Sequence, residues 1–397
     1  MKPRILRVLN RFNIGGPTHN AVYLTKFLSE EFETRLIGGV PSKGEASSFH
    51  WAKKHGLQAE MVPWIVREIS PVKDLQAIWN LRNVIKTFKP QIIHTHASKA
   101  GLAARLAYLS QKSQKSILVH TFHGNVFSGY FNPLMNKFVL NTERFLARHT
   151  DAIIAISNLQ KRELVENFQI APKSKVFVIR LGFPLKDTEP DEQKAKLILQ
   201  NKYGILPAQK LIAFVGRLAP VKQPELFIKV VAPLIKQERR FKAIIVGDGP
   251  RNYVEKLKEM GREMGVSVGY TANSDVYILG YVDEVMPLYP AFDVVVLTSR
   301  NEGTPVTLIE AQAMKVPIVA TDVGAVRETV CPVLKDLVVN QDAESIRKAI
   351  LKAMQLKNNP VMEEARQFVI SHFDVAELVR KTKELYDELL SRKWQDA

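Results

Sequence analysis

The chain has 397 residues, 46% of them hydrophobic and 24% charged, the balance of a globular protein long enough for two cores. A single cysteine, Cys331, excludes an intrachain disulfide framework and a cysteine-rich metal site, and no apolar run approaches the ~18 residues of a membrane-spanning helix. The formal net charge is +16, and residues 1–186 carry all of it, with 27 Lys and Arg against 11 Asp and Glu. Such asymmetry points to an anionic partner: a phosphorylated substrate, an anionic membrane or nucleic acid.

The opening MKPRILRVLN is too short and too charged for a secretion signal. It reads as a first strand, and the chain is expected to be cytoplasmic. Further strands are expected at 34–39, 91–96, 116–122, 151–157 and 175–180, separated by amphipathic stretches such as DLQAIWNLRNVIKTF. FPLKDTEPDE (183–192), with two prolines and an acidic cluster, has the composition of a linker. The pattern then restarts, with strands at 210–216, 242–249, 276–280, 293–299, 317–324 and 337–339. Continuous Val/Ile/Leu runs alternating with helices predict α/β architecture, two doubly wound parallel sheets in domains 1–186 and 187–397. Ligands of such sheets bind beyond the carboxyl ends of the strands, so the cleft between two such domains is the natural active site. The terminal segment 374–397 is strongly helical in pattern.

Two stretches carry chemistry. GRLAPVK places Arg217 and Lys222 in a turn after a buried strand, a guanidinium and an ammonium suited to a diphosphate whose leaving oxygen gains charge. SRNEGTPVTLIEAQA places Glu302 before a helix that begins around Val306 and Glu310 inside it among apolar neighbours. Gly303 is expected to take an unusual backbone conformation, and Pro305 to suit a first helical turn whose exposed amides attract an anion. Two spaced carboxylates can each accept hydroxyls from a different sugar ring. His94 and His96 are read as pointing to opposite faces of a strand end, poor geometry for a shared metal. His120 and His123 read as satisfied histidines near a strand end rather than zinc ligands. Asp248 stands alone in its GDGP turn, so no paired carboxylates offer a metal site there.

The E-x7-E pattern from Glu302 to Glu310, with G-R-L-x3-K and V-G-D-G-P before it, resembles the family 4 retaining glycosyltransferases of the GT-B fold. NIGGPTHNAVYL (13–24), HTHASKAGLAARLA (94–107) and HTFHG (120–124) extend the likeness over nearly the whole chain. The resemblance implies that Arg217 and Lys222 hold the donor diphosphate. It implies that Glu310 binds ribose hydroxyls, that Glu302 binds the donor sugar, and that His123 contacts that sugar. Gly15 and Gly16 would let the first loop close on the phosphates, the amides of Val306 and Thr307 would complete the anion site, and Leu279 to Tyr281 would border the base. Thr304 stands where the family often has Phe, which alters the sugar pocket. A terminal helix crossing back to the first domain is common in this fold.

The implied activity is transfer of a hexose or N-acetylhexosamine, with retention, from a nucleotide sugar to a lipid-linked or other glycan acceptor. A UDP-sugar is favoured, no metal is required, and docking is peripheral on the anionic inner face of the cell membrane. Capsule or lipopolysaccharide assembly fits. A nucleotide-sugar epimerase of the same fold would need an additional acid–base set. A polyanion-binding module should interleave aromatics with bases, and only FSGYFNPLMNKF comes close, so nucleic acid is not an expected partner.

Overall fold

The structure is a computed structural model that describes residues 2–395 except 14, 43–46, 67, 69, 112–114 and 125–131. The chain forms two compact units, residues 1–183 with 375–397, and residues 184–374.

The first unit contains β1 (Arg4–Leu9), β2 (Glu33–Gly39), β3 (Ala59–Val62), β4 (Ile92–His96), β5 (Ile117–Phe122), β6 (Ala152–Ala155) and β7 (Val176–Val178). They form one parallel sheet in the order β3-β2-β1-β4-β5-β6-β7. The inner strands are buried along their length, as expected for apolar runs covered on both faces. β3 was not expected, because its residues AEMV are only half-buried and lack the continuous apolar signature of the inner strands. The second unit contains β8 (Lys210–Val215), β9 (Phe241–Val246), β10 (Val268–Gly269), β11 (Val276–Gly280), β12 (Val294–Leu297), β13 (Ile318–Thr321) and β14 (Val338–Val339). Its order is β10-β11-β9-β8-β12-β13-β14, again all parallel. In each sheet the strand order reverses at the first strand, between β1 and β4 and between β8 and β12. Ligands of open α/β sheets collect at the carboxyl ends beside such a reversal.

The terminal helix Val375–Gln395 belongs to the first unit. Its Leu378, Leu385, Tyr386 and Leu389 join Ile5, Leu24, Ile117 and Val119 in one buried cluster. The chain leaves and returns through paired segments. Val375 N–H donates to the Phe183 carbonyl at 2.8 Å within the first unit. The buried Asp374 carboxylate accepts from the amides of Leu185 and Lys186 at 3.2 and 3.1 Å within the second. Among the described residues no helix is long and apolar enough to cross a membrane.

Candidate active site

In the second unit the candidate residues lie at the carboxyl ends of β8, β11 and β12. The turn after β8 closes with Lys222 N–H donating to the Ala219 carbonyl at 2.9 Å. The end of β12 clamps this turn: the Thr298 hydroxyl donates to the carbonyls of Lys222 and Gln223 at 3.0 and 2.9 Å, and Arg300 N–H to that of Val221 at 2.8 Å. Gln223 is held in left-handed backbone, φ 48°, immediately before the helix Pro224–Gln237. Conformations of this kind cost free energy and persist only where their surroundings fix them.

That clamp brings the Lys222 ammonium to 2.5 Å from Glu302, whose same oxygen accepts from the Ser299 hydroxyl at 2.5 Å. The Glu302 side chain is only 8% exposed, so the pair offsets a charge that would be costly to bury alone. Arg217 is exposed, and the structure gives it no ion pair among the described residues. The two cations therefore differ: one is held in place against a carboxylate and the other is open to an anion.

The left-handed backbone beside Glu302 is supplied by Gly324 (φ 52°) rather than by Gly303. A Cβ on Gly324 would lie 1.9 Å from the Glu302 carbonyl oxygen, so backbone approach, not turn conformation at Gly303, sets the glycine requirement. Pro305 caps the helix Val306–Ala313, which has no acidic residue in its first turn. The amides of Val306 and Thr307 begin that turn, where N–H groups have no intrahelical acceptor. The Thr307 hydroxyl donates to the Val215 carbonyl at 3.0 Å and ties the helix start to β8. The Thr304 hydroxyl is buried without a partner.

Glu310 is eight residues from Glu302 and in a different environment. It is half-buried, has no cation partner among the described residues, and accepts from the buried Tyr289 hydroxyl at 2.8 Å. Burial pushes its carboxyl up to about 7, against a smaller opposing effect of the Tyr289 hydrogen bond. Leu279, one residue before the end of β11, is half-buried, and Tyr281 is 49% exposed, its hydroxyl donating to Asp283 at 3.0 Å. Ser299 and Tyr289 were not singled out from sequence. Ser299 adjoins the N-E-G turn, whereas Tyr289 sits in an MPLYPA turn that carries no motif.

In the first unit Gly15 (φ 152°) leads into the helix Gly16–Phe27, and a Cβ on Gly16 would lie 3.2 Å from Leu181. His123 follows β5, its Nε2 2.9 Å from Nδ1 of His96 at the end of β4. Burial lowers its pKa to about 3, so the ring is neutral. His94 and His96 do not point to opposite faces. Their rings stack at 4.3 Å, because strand residues two apart share a face. Among the described residues no group of three or more His, Cys, Asp or Glu could hold a metal ion.

Two doubly wound units, each with polar side chains gathered where its strand order reverses, present two ends of the kind at which open α/β sheets bind ligands. Residues 14–187 match the family described as Glycosyltransferase Family 4, and residues 209–356 match Glycosyl transferases group 1. The chain belongs to the family 4 glycosyltransferases and has their GT-B architecture. A relative from Escherichia coli, UDP-Gal:alpha-D-GlcNAc-diphosphoundecaprenol alpha-1,3-galactosyltransferase, is 26% identical over 85% of this chain and 85% of its own length. The alpha-D-kanosaminyltransferase of Streptomyces kanamyceticus is 28% identical over 64% of this chain and 65% of its own length. The crystal structure of Anabaena HepE in complex with UDP superposes with a TM-score of 0.79 at 18% identity, covering 98% of this chain and 100% of that one.

Proposed function

We propose that this glycosyltransferase moves a hexose or N-acetylhexosamine from a UDP-sugar to a lipid-linked glycan, with retention of configuration and without a metal ion. The observation that carries the reading is the second unit's arrangement at its strand reversal: an open Arg217, a Lys222–Glu302–Ser299 cluster, and Glu310 held by Tyr289. The UDP in the Anabaena structure and the UDP-galactose donor named for the E. coli relative favour a uridine nucleotide.

In this reading Arg217, Lys222 and the amides of Val306 and Thr307 receive the diphosphate. Glu310 accepts from the ribose hydroxyls, Glu302 from the sugar, and Leu279 and Tyr281 border the base. Thr304 offers its unpartnered hydroxyl to the sugar pocket. Gly15 and Gly16 admit the phosphates closely, and His123 presents a hydrogen bond to the sugar. The anomeric carbon–phosphate oxygen bond breaks as a bond to the acceptor hydroxyl forms on the same face. The acceptor's proton passes to the departing phosphate oxygen, whose growing charge the two cations stabilise.

The lipid-linked acceptor is supported by the E. coli relative's name and by the charge distribution. The helix Pro133–Arg148 adds to this. Leu134, Phe138 and Phe145 are 82%, 68% and 48% exposed, beside Lys137, Arg144 and Arg148. Its one acid, Glu143, is buried against Arg105 at 2.6 Å. An apolar and cationic face of this composition suits an anionic interface. Residues 125–131 that precede it, which include the first five of FSGYFNPLMNKF, lie outside the described residues.

The reading is tested by screening UDP-, GDP- and ADP-sugars by calorimetry, then following transfer to a sugar diphosphate lipid in excess EDTA with NMR of the anomeric proton. A retained anomer from a UDP-sugar in EDTA is expected. An inverted product, or activity that returns only with Mg²⁺ or Mn²⁺, overturns the corresponding part.

A further inference from the structure

The first unit buries a cation that its hydrophobic strand does not require. Arg7 interrupts the apolar run of β1 and is 0% exposed, and its side-chain hydrogen bonds run to two histidines and a tyrosine rather than to a carboxylate. Burying a guanidinium in this way is costly, and its Nε and Nη2 remain without partners. The strand register explains what it faces: Arg7 pairs with His94 across β1 and β4, and Leu9 with His96. One Arg7 nitrogen, Nη1, lies 2.9 Å from His94 Nδ1 and 3.4 Å from His96 Nε2.

A guanidinium can only donate. Neither His94 Nδ1 nor His96 Nε2 can therefore carry a proton facing Nη1, whose two hydrogens are shared with the Tyr386 hydroxyl at 3.4 Å. A neutral imidazole that accepts at one nitrogen carries its proton on the other, so His94 donates from Nε2 to the Thr121 hydroxyl at 2.7 Å. By the same rule His96 carries its proton on Nδ1 and donates to His123 Nε2 at 2.9 Å. That leaves His123 protonated on Nδ1, and this nitrogen is buried without a partner. Burial and the neighbouring Arg7 and histidines keep His94 and His96 neutral, which the chain of single protons requires. The Tyr386 hydroxyl, 2.5 Å from His94 Nδ1, closes the back of the network from the terminal helix.

We infer that Arg7 is a positioning residue that, through His96, fixes His123 as the Nδ1–H tautomer, so that His123 offers a hydrogen-bond donor to an oxygen of a bound ligand. Free imidazole side chains favour the opposite tautomer, with the proton on Nε2, so the fixed charge reverses the ordinary preference. The assignment of the ligand oxygen to the donor sugar rests on the proposed function; the tautomer does not.

The tautomer is read directly in the full-length protein labelled with ¹⁵N-histidine, by long-range ¹H–¹⁵N correlation, with His123 assigned from its loss in His123→Gln. In the wild type His123 should carry its proton on Nδ1. Arg7→Met should move it toward Nε2, and Arg7→Lys, which retains an obligate donor, should keep it on Nδ1. A wild-type His123 protonated on Nε2 overturns the inference even where Arg7→Met does not fold, and so does an unchanged tautomer in a folded Arg7→Met. A merely structural arginine would lower stability without moving the proton. Transfer is the second readout: Arg7→Met should lose about fivefold to tenfold in kcat/KM, the loss of one neutral hydrogen bond, with free nucleotide affinity unchanged. A shifted tautomer with unaltered transfer would uphold the relay and overturn the sugar contact, so the two failures are distinguishable.

Discussion

Among the described residues each unit has seven parallel strands and gathers polar residues where the strand order reverses, yet the two reversals differ in chemistry. The first is built from neutral histidines around one enclosed guanidinium, with protons whose positions are set by who can only donate. The second is built from carboxylates in two states: Glu302 tied to Lys222, and Glu310 half-buried and accepting from a tyrosine hydroxyl. One backbone plan therefore carries a cluster of neutral histidines in one unit and a set of carboxylates and cations in the other. The difference lies in a few side chains at strand ends.

The largest expected effect breaks the charged half. Arg217→Ala and Lys222→Ala should each lower turnover by about 10²–10³, the usual loss when one charge-stabilising donor is removed. Lys222→Ala should also reduce stability, because it leaves Glu302 buried without its cation, whereas the exposed Arg217 can be removed with the fold intact. Steady-state transfer rates with unfolding curves decide this; near wild-type turnover in both variants would dissolve the proposed diphosphate site.

Glu310 sharpens the contrast through pH. A carboxyl near 7 in the folded chain and near 4.5 unfolded holds its proton more tightly when folded. It therefore costs the free protein stability as pH rises through that window. Ribose hydroxyls bond the ionised carboxylate more strongly than the neutral acid, so nucleotide affinity should rise as pH rises toward about 7, with release of a proton. Calorimetry in buffers of different ionisation enthalpy measures that proton. Glu310→Gln should abolish its release and weaken free nucleotide by about tenfold, the loss of hydrogen bonds to a charged acceptor, and an unaltered affinity would remove the ribose role.

The histidine half should respond to acid in the opposite sense. His94, His96, His120 and His123 are all held below 6.5, chiefly by burial. The unfolded chain then binds more protons than the folded one below 6.5, so the first unit should lose stability as pH falls from 6.5 toward 3. Hydrogen exchange at pH 7 and pH 5 should show β4 and β5 opening more readily at the lower pH, with β8 and β12 changing less. Equal loss of protection in both sheets would contradict the contrast.

The smallest expected effect concerns the surface. Replacing exposed Leu134 and Phe138 by Ser should weaken co-sedimentation with anionic liposomes severalfold and leave transfer to a water-soluble acceptor unaltered. Undiminished liposome binding would exclude this helix as the docking face.

Much of this was legible in the residues because apolar runs announce buried parallel strands, and the E-x7-E and G-R-L-x3-K spacings mark strand ends. What escaped was polar or short. β3 and the two-residue β10 bury too little to leave a pattern. Tyr289 reaches Glu310 only through the fold, 21 positions away in sequence. The pairing of Lys222 with Glu302 spans 80 positions and changes the picture of two free cations into one open and one offset. The histidines were a different failure: period-two geometry already places His94 and His96 on one face. Arg7 inside RILRVL was a visible anomaly, a permanent charge in a run that otherwise reads as core.

The route of the chain has a consequence for synthesis. Residues 184–374 form an insertion within the first unit, whose helix Val375–Gln395 is translated after them. Nascent domains generally fold as units as they emerge. The second unit has all of its residues before the ribosome reaches that helix, while the older first sheet still lacks Tyr386 and the apolar face that covers Ile5 and Ile117. The half made first is thus finished second, and its histidine network closes only once the charge-handling half has been completely translated.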